Sequence, residues 1–272
     1  MKFSVAMNAY WGDDPSWFKD AVESVLNQTV RPDEIVIAVD GPVPSELDLV
    51  IAEYERDDLF HIVRFPQNMG YGKAQAAAFE ACTNDLIARM DSDDLSVSDR
   101  FEKQLRYMEE HPDVDVVGAN IAEFIGDVSN VVGYRNVPTE DADIKEFLKY
   151  RCPLNHVTVF MKKESVMSVG GYQEWFCDED YFLWIRMFLA GMKFANLPEV
   201  LVNVRVGEEM YKRRGGWKYF KSEARLQRYM LKNKVIGFGT FLMNVTKRLI
   251  LQVLMPSWLR GIVFKKFARS EK

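Results

Sequence analysis

The chain has 272 residues, 48% hydrophobic and 28% charged, which is ordinary for a globular protein and excludes a disordered or fibrous chain. The length allows one large core with an appendage. The formal net charge of -5 hides an asymmetry, because residues 211–272 contain 16 Lys and Arg against 2 Asp and Glu. Such a basic end predicts contact with a polyanion or an anionic membrane.

Cysteine use and the N-terminal sequence both predict a cytoplasmic protein. Cys82, Cys152 and Cys177 are widely spaced and odd in number, which is typical of unpaired thiols in a reducing compartment. The first apolar run of the chain is too short for a signal peptide. Neither the cysteines nor the histidines have the spacing of a zinc site.

Strands and helices are predicted to alternate over the first third of the chain. The predicted strands cover residues 3–7, 34–40 and 61–65, and the predicted helices cover residues 16–27, 45–56 and 73–82. Strands that alternate with helices at this spacing predict right-handed βαβ units in a parallel sheet.

The next predicted strand, residues 86–90, ends in the acidic segment Asp91, Ser92, Asp93 and Asp94. Ligands of parallel sheets bind beyond the carboxyl ends of the strands, which is where these acids fall. Asp91 and Asp93 point the same way in an extended segment, and two such carboxylates attract Mg²⁺ or Mn²⁺. An isolated Asp-x-Asp is more often a solvated turn that caps the next helix, so the context must decide.

The second half of the chain has a less regular pattern. Ser96 and Asp99 predict a cap for the helix that follows them. Residues 114–119 predict a strand, residues 121–134 a hairpin and residues 155–160 an alternating strand.

A second acidic cluster, Asp178, Glu179 and Asp180, opens a predicted aromatic helix over residues 181–190. One interpretation is a helix cap, because the helix dipole favours acids at that end. The other is a general base, since a carboxylate at a helix head that faces a cleft can take a proton from a hydroxyl. Trp175, just before the cluster, is a candidate to stack on a sugar ring.

Two apolar runs, residues 235–246 and 249–259, lie within the basic C-terminal region. Neither reaches the roughly 20 apolar residues of a membrane span. Two interpretations stay open: an amphipathic segment lying on an anionic bilayer, or a helical hairpin packed on the rest of the protein.

Several short motifs follow one another in a specific order. They are residues 4–10, residues 24–29, the pair Asp40-Gly41, Asn68-x-Gly70, Asp91-Ser92-Asp93-Asp94 and the pair Glu179-Asp180. This set resembles the family 2 glycosyltransferases of the GT-A fold. The Asp-Gly-Pro turn at Asp40 and the run Arg213-Arg214-Gly215-Gly216 resemble, within that family, the bacterial capsule and O-antigen polysaccharide transferases.

The resemblance covers residues 1–205 and implies an α/β fold with a central, mostly parallel sheet flanked by helices. Residues 1–95 would be the nucleotide-sugar-binding half and residues 96–205 the acceptor half. Residues 206–272 would follow as a basic, amphipathic helical region.

For the site, the resemblance implies an inverting transferase with a nucleotide-sugar donor, a UDP-sugar in particular, and with Mn²⁺ or Mg²⁺ as cofactor. Carried over by position, Asp93 and Asp91 would bind the metal, and Asp180 with its neighbour Glu179 would be catalytic. The residues implied for donor binding are Asn8, Ala9, Tyr10, Asp40, Gly70, Lys73, Asp91, Ser92 and Asp93.

The implied acceptor is a polyprenyl-diphosphate-linked saccharide, met by a peripheral protein at the inner face of the bacterial cell membrane. Candidates to contact the acceptor or the diphosphate are His156, Trp175, Arg213 and Arg214. His156 alone is more typical of a hydrogen-bonded structural residue. Two family features are missing: the Gln-x-x-Arg-Trp motif of processive members, which favours addition of a single sugar, and a histidine metal ligand after Arg205.

Other classes of protein make different demands on the sequence. A sugar nucleotidyltransferase also uses an acid pair on an α/β sheet, but residues 8–15 lack the basic activation loop it needs. A non-catalytic, membrane-associated adaptor that binds nucleotide sugars would tolerate Asp180→Asn. A nucleic-acid partner is disfavoured, because the basic residues are interleaved with aliphatics and no recognition-helix module is present.

Overall fold

The computed structural model describes residues 1–207 and 215–255. In this part of the chain a nine-stranded sheet carries helices on both faces. The strands are β1 (Phe3–Tyr10), β2 (Glu34–Asp40), β3 (Phe60–Arg64), β4 (Leu86–Arg89), β5 (Leu95–Ser96), β6 (Val116–Phe124), β7 (Val131–Arg135), β8 (Phe160–Lys162) and β9 (Phe194–Arg205). The helices are α1 (Pro15–Leu26), α2 (Ser45–Tyr54), α3 (Tyr71–Ala81), α4 (Arg100–Glu110), α5 (Asp141–Leu148), α6 (Lys163–Ser168), α7 (Glu179–Leu189), α8 (Trp217–Lys232) and α9 (Phe238–Leu249).

The first half of the sheet is parallel, with strand order β3-β2-β1-β4. Its strands are apolar on both faces because helices cover both: α1, α2 and α4 pack on one side, and α3, α7 and α8 on the other. The predicted βαβ alternation is therefore confirmed. The carboxyl ends of β1, β2 and β4 all reach the same edge of the sheet.

The second half of the sheet is mixed, so the expectation of a mostly parallel sheet holds only in part. The short strand β8 runs antiparallel between β4 and β6, and it joins the two halves. The long strand β9 pairs with β6 in parallel, while β5 and β7 add antiparallel ladders. The predicted hairpin is confirmed as β6 and β7.

Two local predictions are wrong. Residues 155–160 form a 3-10 turn at His156–Thr158 before β8 begins, because the carbonyl of Asn155 accepts the backbone N–H and the hydroxyl of Thr158 at 2.9 and 2.8 Å. Ser96 does not cap α4, since it belongs to β5. Asp99 instead forms an ion pair with Lys103 at 2.8 Å.

The described part of the basic C-terminal region packs on the body of the protein as a helical hairpin. Leu226 and Met230 of α8 are fully buried in the core layer that contains α7. Arg248 of α9 forms an ion pair with Glu223 of α8 at 2.8 Å, with both side chains mostly buried. Among residues 1–207 and 215–255, no helix is long and apolar enough to cross a bilayer.

Trp175 was expected to stack on a sugar ring, but its side chain is packed inside the protein. Its side chain is 5% exposed and lies 4.2 Å from the ring of Phe182. The guanidinium of Arg225 stacks on the indole at 3.8 Å, and the indole N–H donates to the carbonyl of Ser222 at 3.3 Å. A ring enclosed in this way offers no face to a sugar; it anchors α8 to the loop before α7.

The buried ion pair between Arg248 and Glu223 should contribute to the stability of the protein. Arg248→Met leaves the carboxylate of Glu223 buried without its cation, and we expect the free energy of unfolding to fall by about 3–5 kcal/mol. Urea unfolding followed by circular dichroism measures this. Arg106→Met, which removes an exposed i,i+4 pair with Glu102, is the control and should cost less than about 1 kcal/mol. Equal losses in the two variants would contradict the buried pair.

Candidate active site

A cleft of about 760 Å³ opens at the carboxyl ends of β1, β2 and β4, between them and the head of α7. Most residues singled out from the sequence line it: Asn8, Ala9, Tyr10, Asp40, Gly70, Lys73, Asp91, Ser92, Asp93, His156, Glu179 and Asp180. Trp175 is not among the lining residues. Arg213 and Arg214 lie outside the described residues.

One end of the cleft is built where β2 meets the turn before α3. The carboxylate of Asp40 accepts the backbone N–H groups of Met69 and Gly70 at 2.6 and 3.1 Å. Gly70 has φ +93, a backbone conformation that L side chains rarely adopt. Asp40 therefore fixes the loop that starts α3, and Lys73 follows in the first turn of that helix.

The acids after β4 form a cluster with Asp13, which the sequence did not single out. Asp13 reaches the cluster from the loop after β1, where its carboxylate also accepts the N–H of Tyr10 at 3.0 Å. Burial, together with the charges of Asp93 and Asp91, raises the pKa of Asp13 to about 7. Burial and the charge of Asp91 raise the pKa of Asp93 to about 6. Burial is thus the main reason that these two carboxyl groups hold a proton more readily than a free aspartic acid.

Arg89 is a second lining residue that sequence reasoning missed. It ends β4, is 1% exposed and forms an ion pair with Asp91. Its guanidinium also donates to the hydroxyl of Tyr71 at 2.6 Å. A signal was present in the sequence, since an arginine inside an otherwise apolar strand needs a specific polar partner.

The second acidic cluster faces the cleft through two of its three members. Glu179 and Asp180 line the cleft, whereas Asp178 is buried at the N-cap of α7. Burial raises the pKa of Glu179 to about 7. Asp180 accepts the N–H of Tyr181 at 2.7 Å and lies 3.5 Å from the thiol of Cys152.

His156 lies in the wall of the cleft as a neutral, hydrogen-bonded residue. Its Nε2 atom is 2.8 Å from the hydroxyl of Tyr172, and its Nδ1 atom is 3.4 Å from the hydroxyl of Tyr71. Burial and the charge of Arg89 keep its pKa well below the usual range. These contacts agree with a structural role, and a contact with the acceptor or diphosphate stays a prediction.

The acidic cluster suits a hard divalent cation. In residues 1–207 and 215–255 no three carboxylate, imidazole or thiol groups converge to enclose a metal ion. Asp91 and Asp93 nevertheless offer oxygen ligands at the cleft. Burial, and to a smaller extent the charges of neighbouring carboxylates, raises the pKa values of Asp13 and Asp93, and a bound cation would favour their ionised forms. Mg²⁺ and Mn²⁺ suit a site that has one or two carboxylates and takes further oxygens from a phosphate substrate.

The sequence of this chain is similar to those of known glycosyltransferases. The model of the family "Glycosyl transferase family 2" matches residues 4–176. An amylovoran biosynthesis glycosyltransferase, AmsE of Erwinia amylovora, is 40% identical over 91% of this chain and 94% of its own. The Escherichia coli UDP-Gal:alpha-D-GlcNAc-diphosphoundecaprenol beta-1,3-galactosyltransferase is 36% identical over 98% of this chain and 97% of its own.

Solved structures share the fold at low sequence identity. TarS from S. aureus in complex with UDP-GlcNAc superposes with a TM-score of 0.68 at 15% identity, over 99% of this chain and 76% of its own. The mannosyltransferase PcManGT from Pyrobaculum calidifontis, in complex with GDP-Man and Mn2+, gives 0.64 at 13% identity over the same shares. This likeness establishes the GT-A fold predicted from the sequence.

The buried carboxyl of Glu179 predicts a pH dependence of stability. Its pKa is about 7 in the folded protein against an ordinary 4.5, so the folded state holds a proton that the unfolded state loses. The free energy of unfolding therefore falls as pH rises from 4.5 to about 7. In Glu179→Gln the free energy of unfolding should fall less steeply with pH. Urea unfolding between pH 4.5 and about 7 measures this.

The exposed Glu46→Gln variant is the control for this experiment and should keep the slope of the unchanged protein. Identical slopes for Glu179→Gln and the unchanged protein would contradict a protonated Glu179.

Proposed function

Because the chain belongs to glycosyl transferase family 2, we propose that it performs an inverting transfer of one sugar from a nucleotide sugar to a lipid-linked glycan of a bacterial surface polysaccharide. Glycosyl transfer itself follows from the family match and from the 36% and 40% identities. The donor, the acceptor, the stereochemical course and the metal are the proposal. The observation that carries it is that the acids after β4 and the acids of α7 line one cleft.

The charge of the cleft supports a metal-dependent donor site. Seven carboxylates line the cleft against two cations, Lys73 and Arg89. A nucleoside diphosphate entering such a cleft meets net repulsion, and a divalent cation between the two reverses it. We assign Asp93, with Asp91 beside it, to hold Mn²⁺ or Mg²⁺. When bound, the cation stabilises the charge that develops on the departing diphosphate.

The nucleotide would occupy the end of the cleft formed by β1, β2 and α3. Asn8, Ala9, Tyr10 and Asp40 would hold the base and ribose, with the backbone of Gly70 and the amine of Lys73 near the phosphates. The N-terminus of α3 suits a phosphate, because the dipole of a helix favours an anion at that end. UDP is favoured because the E. coli relative is named for UDP-Gal and TarS binds UDP-GlcNAc.

The chemical step would use the α7 side of the cleft. Asp180 takes the proton of the acceptor hydroxyl as that oxygen bonds to the anomeric carbon, on the face opposite the bond to the diphosphate. The carbon–oxygen bond to the diphosphate breaks, and the configuration at the anomeric carbon inverts. Glu179, whose burial favours its neutral form, adds less negative charge beside Asp180 than an ionised acid would. In this scheme residues 1–95 form the donor half and residues 96–205 the acceptor half.

Two variants separate donor binding from chemistry. UDP should bind the protein with Mn²⁺ in a calorimetric titration, and Asp93→Ala should weaken that binding by roughly tenfold or more. Asp180→Asn should bind UDP as the unchanged protein does, yet transfer sugar roughly 10²–10⁴-fold more slowly.

Other outcomes of this experiment point to other functions. No UDP binding in any condition would reject the UDP assignment and move the search to dTDP and GDP. Release of pyrophosphate in place of UDP would indicate a sugar nucleotidyltransferase. Undiminished sugar transfer by Asp180→Asn would reject Asp180 as the base. UDP binding with no sugar transfer, in the unchanged protein as in Asp180→Asn, would favour the non-catalytic adaptor.

For the acceptor, we propose a polyprenyl-diphosphate-linked saccharide, reached by peripheral binding to the inner face of the cell membrane. The E. coli relative is named for a diphosphoundecaprenol-linked sugar. Four exposed apolar side chains lie four or eight residues apart along α9 and the helical turn after it: Phe238, Leu242, Ile250 and Leu254. Residues 215–255 contain eight Lys and Arg and one Glu, which complements an anionic bilayer.

Vesicle sedimentation tests the membrane proposal. The protein should sediment with phosphatidylglycerol vesicles at low salt and less at high salt, because screening weakens the attraction. A double variant, Leu242→Asp and Ile250→Asp, should stay in the supernatant. Leu49→Asp is the control, since Leu49 is a 68% exposed leucine on α2. If the unchanged protein does not sediment, the membrane role is abandoned.

A further inference from the structure

Lys218 is a cation that lies beside the cleft but outside its acidic interior. Its amine is 3.9 Å from the centre of the ring of Phe176, and Phe176 lines the cleft. Both side chains are exposed. Within residues 1–207 and 215–255, no carboxylate forms an ion pair with Lys218. The ring attracts the ammonium group without neutralising it, so the charge stays available to an anion.

Contacts between α8 and the loop before α7 fix Phe176 beside Lys218. The hydroxyl of Ser222 donates to the carbonyl of Phe176 at 2.6 Å. The carbonyl of Ser222 in turn accepts the indole N–H of Trp175 at 3.3 Å. Asp180 follows the same loop, in the first turn of α7. Lys218 therefore stands at the side of the cleft that is proposed to receive the acceptor.

Exposed apolar side chains continue from Lys218 to the surface that is proposed to meet the membrane. Trp217 precedes Lys218 and is 58% exposed. The backbone N–H of Gly216 donates to the carbonyl of Gln252 at 2.9 Å, which joins the start of α8 to the helical turn after α9. That turn carries two of the exposed apolar side chains, Ile250 and Leu254. A series of contacts thus leads from this surface through Trp217 and Lys218 to the cleft.

Charge decides where the diphosphate of a lipid-linked acceptor can lie. Seven carboxylates line the cleft, and of its two cations Arg89 is paired with Asp91 and Lys73 lies at the nucleotide end. The interior of the cleft therefore repels a second diphosphate. The acceptor sugar must still reach Asp180. A cation just outside the cleft, on the side of α7, meets both demands.

We propose that Lys218, held on the ring of Phe176, binds the diphosphate of the lipid-linked acceptor, and that Trp217 contacts the first isoprene units of the lipid. The inference rests on the proposed function, because it concerns the acceptor of that reaction. It assigns each part of the acceptor to a different part of the protein. The sugar enters the cleft, the diphosphate stays at Lys218, and the lipid lies against Trp217 and the apolar surface beside it.

Farnesyl diphosphate is a soluble probe for this site, because it has a diphosphate and an isoprenoid tail but no sugar. Its binding to the full chain is measured by calorimetry in EDTA, so that no divalent cation draws a diphosphate into the donor site. Lys218→Gln should weaken binding by roughly tenfold, because a charge-assisted contact with phosphate is lost. Lys218→Arg keeps the charge and can stack on Phe176, so it should bind within about twofold of the unchanged protein.

Trp217→Ala separates the lipid contact from the phosphate contact. It should weaken the binding of farnesyl diphosphate by roughly fivefold, because apolar area is lost, and leave the binding of inorganic pyrophosphate unchanged. Lys218→Gln should weaken the binding of both ligands.

Lys232→Gln is the matched control for the charge. Lys232 is an exposed lysine at the other end of α8, roughly 20 Å along the helix, and its replacement should leave the binding of farnesyl diphosphate unchanged. Trp217, Lys218 and Lys232 are all exposed, so their variants should fold as the unchanged protein does.

The outcomes distinguish this inference from the proposed function. Absence of farnesyl diphosphate binding, or equal losses in Lys218→Gln and Lys232→Gln, overturns the inference alone. Equal losses in Lys218→Gln and Lys218→Arg also overturn it. Weaker binding of UDP with Mn²⁺ in Lys218→Gln would assign Lys218 to the donor and overturn it as well. Absence of sugar transfer by the unchanged protein overturns the proposed function, and with it the acceptor role of Lys218.

Discussion

Mutual repulsion among the acids of the cleft is the constraint around which the local structure is built. Parallel strands deliver their carboxyl ends to one edge of the sheet, so acids that follow those strands must lie close together. Asp40 is balanced by two backbone N–H groups, and Asp91 by the guanidinium of Arg89. Asp13 and Asp93 keep raised pKa values, chiefly because they are buried and in part because other carboxylates lie near them.

The two groups of acids stand on different layers of the fold. Asp91 and Asp93 follow a central strand of the sheet, whereas Asp180 stands on α7, in the helical layer that covers one face. The helix α8 holds the loop before α7 through Trp175, and α9 is joined to α8 by the ion pair between Arg248 and Glu223. The described part of the basic C-terminal region therefore has a structural role in addition to the proposed contact with a membrane.

The sequence predicts those parts of the structure that depend on local pattern. Residues 34–40 form a strand as expected, because a continuous apolar run stops at a glycine and a proline. Residues 155–160 have the alternating pattern of a strand, but the carbonyl of Asn155 accepts two hydrogen bonds from Thr158, and the chain turns there. Trp175 is next to an acidic cluster in the sequence, but the sequence does not show whether its side chain points into the cleft or into the core, where it lies. Asp13 joins the site through contacts between distant elements, and no local pattern encodes such contacts. Arg89 differs, because a charged residue inside an apolar strand is visible in the sequence and its ion-pair partner Asp91 is two residues away.

The strand that joins the two halves of the sheet is only three residues long. β8 pairs with β4 through three residues and with β6 through two, so few backbone hydrogen bonds cross this line. Side chains therefore contribute much of what joins the two halves: Phe160 and Met161 of β8 are both fully buried, Phe160 in the core on one face of the sheet and Met161 in the core on the other.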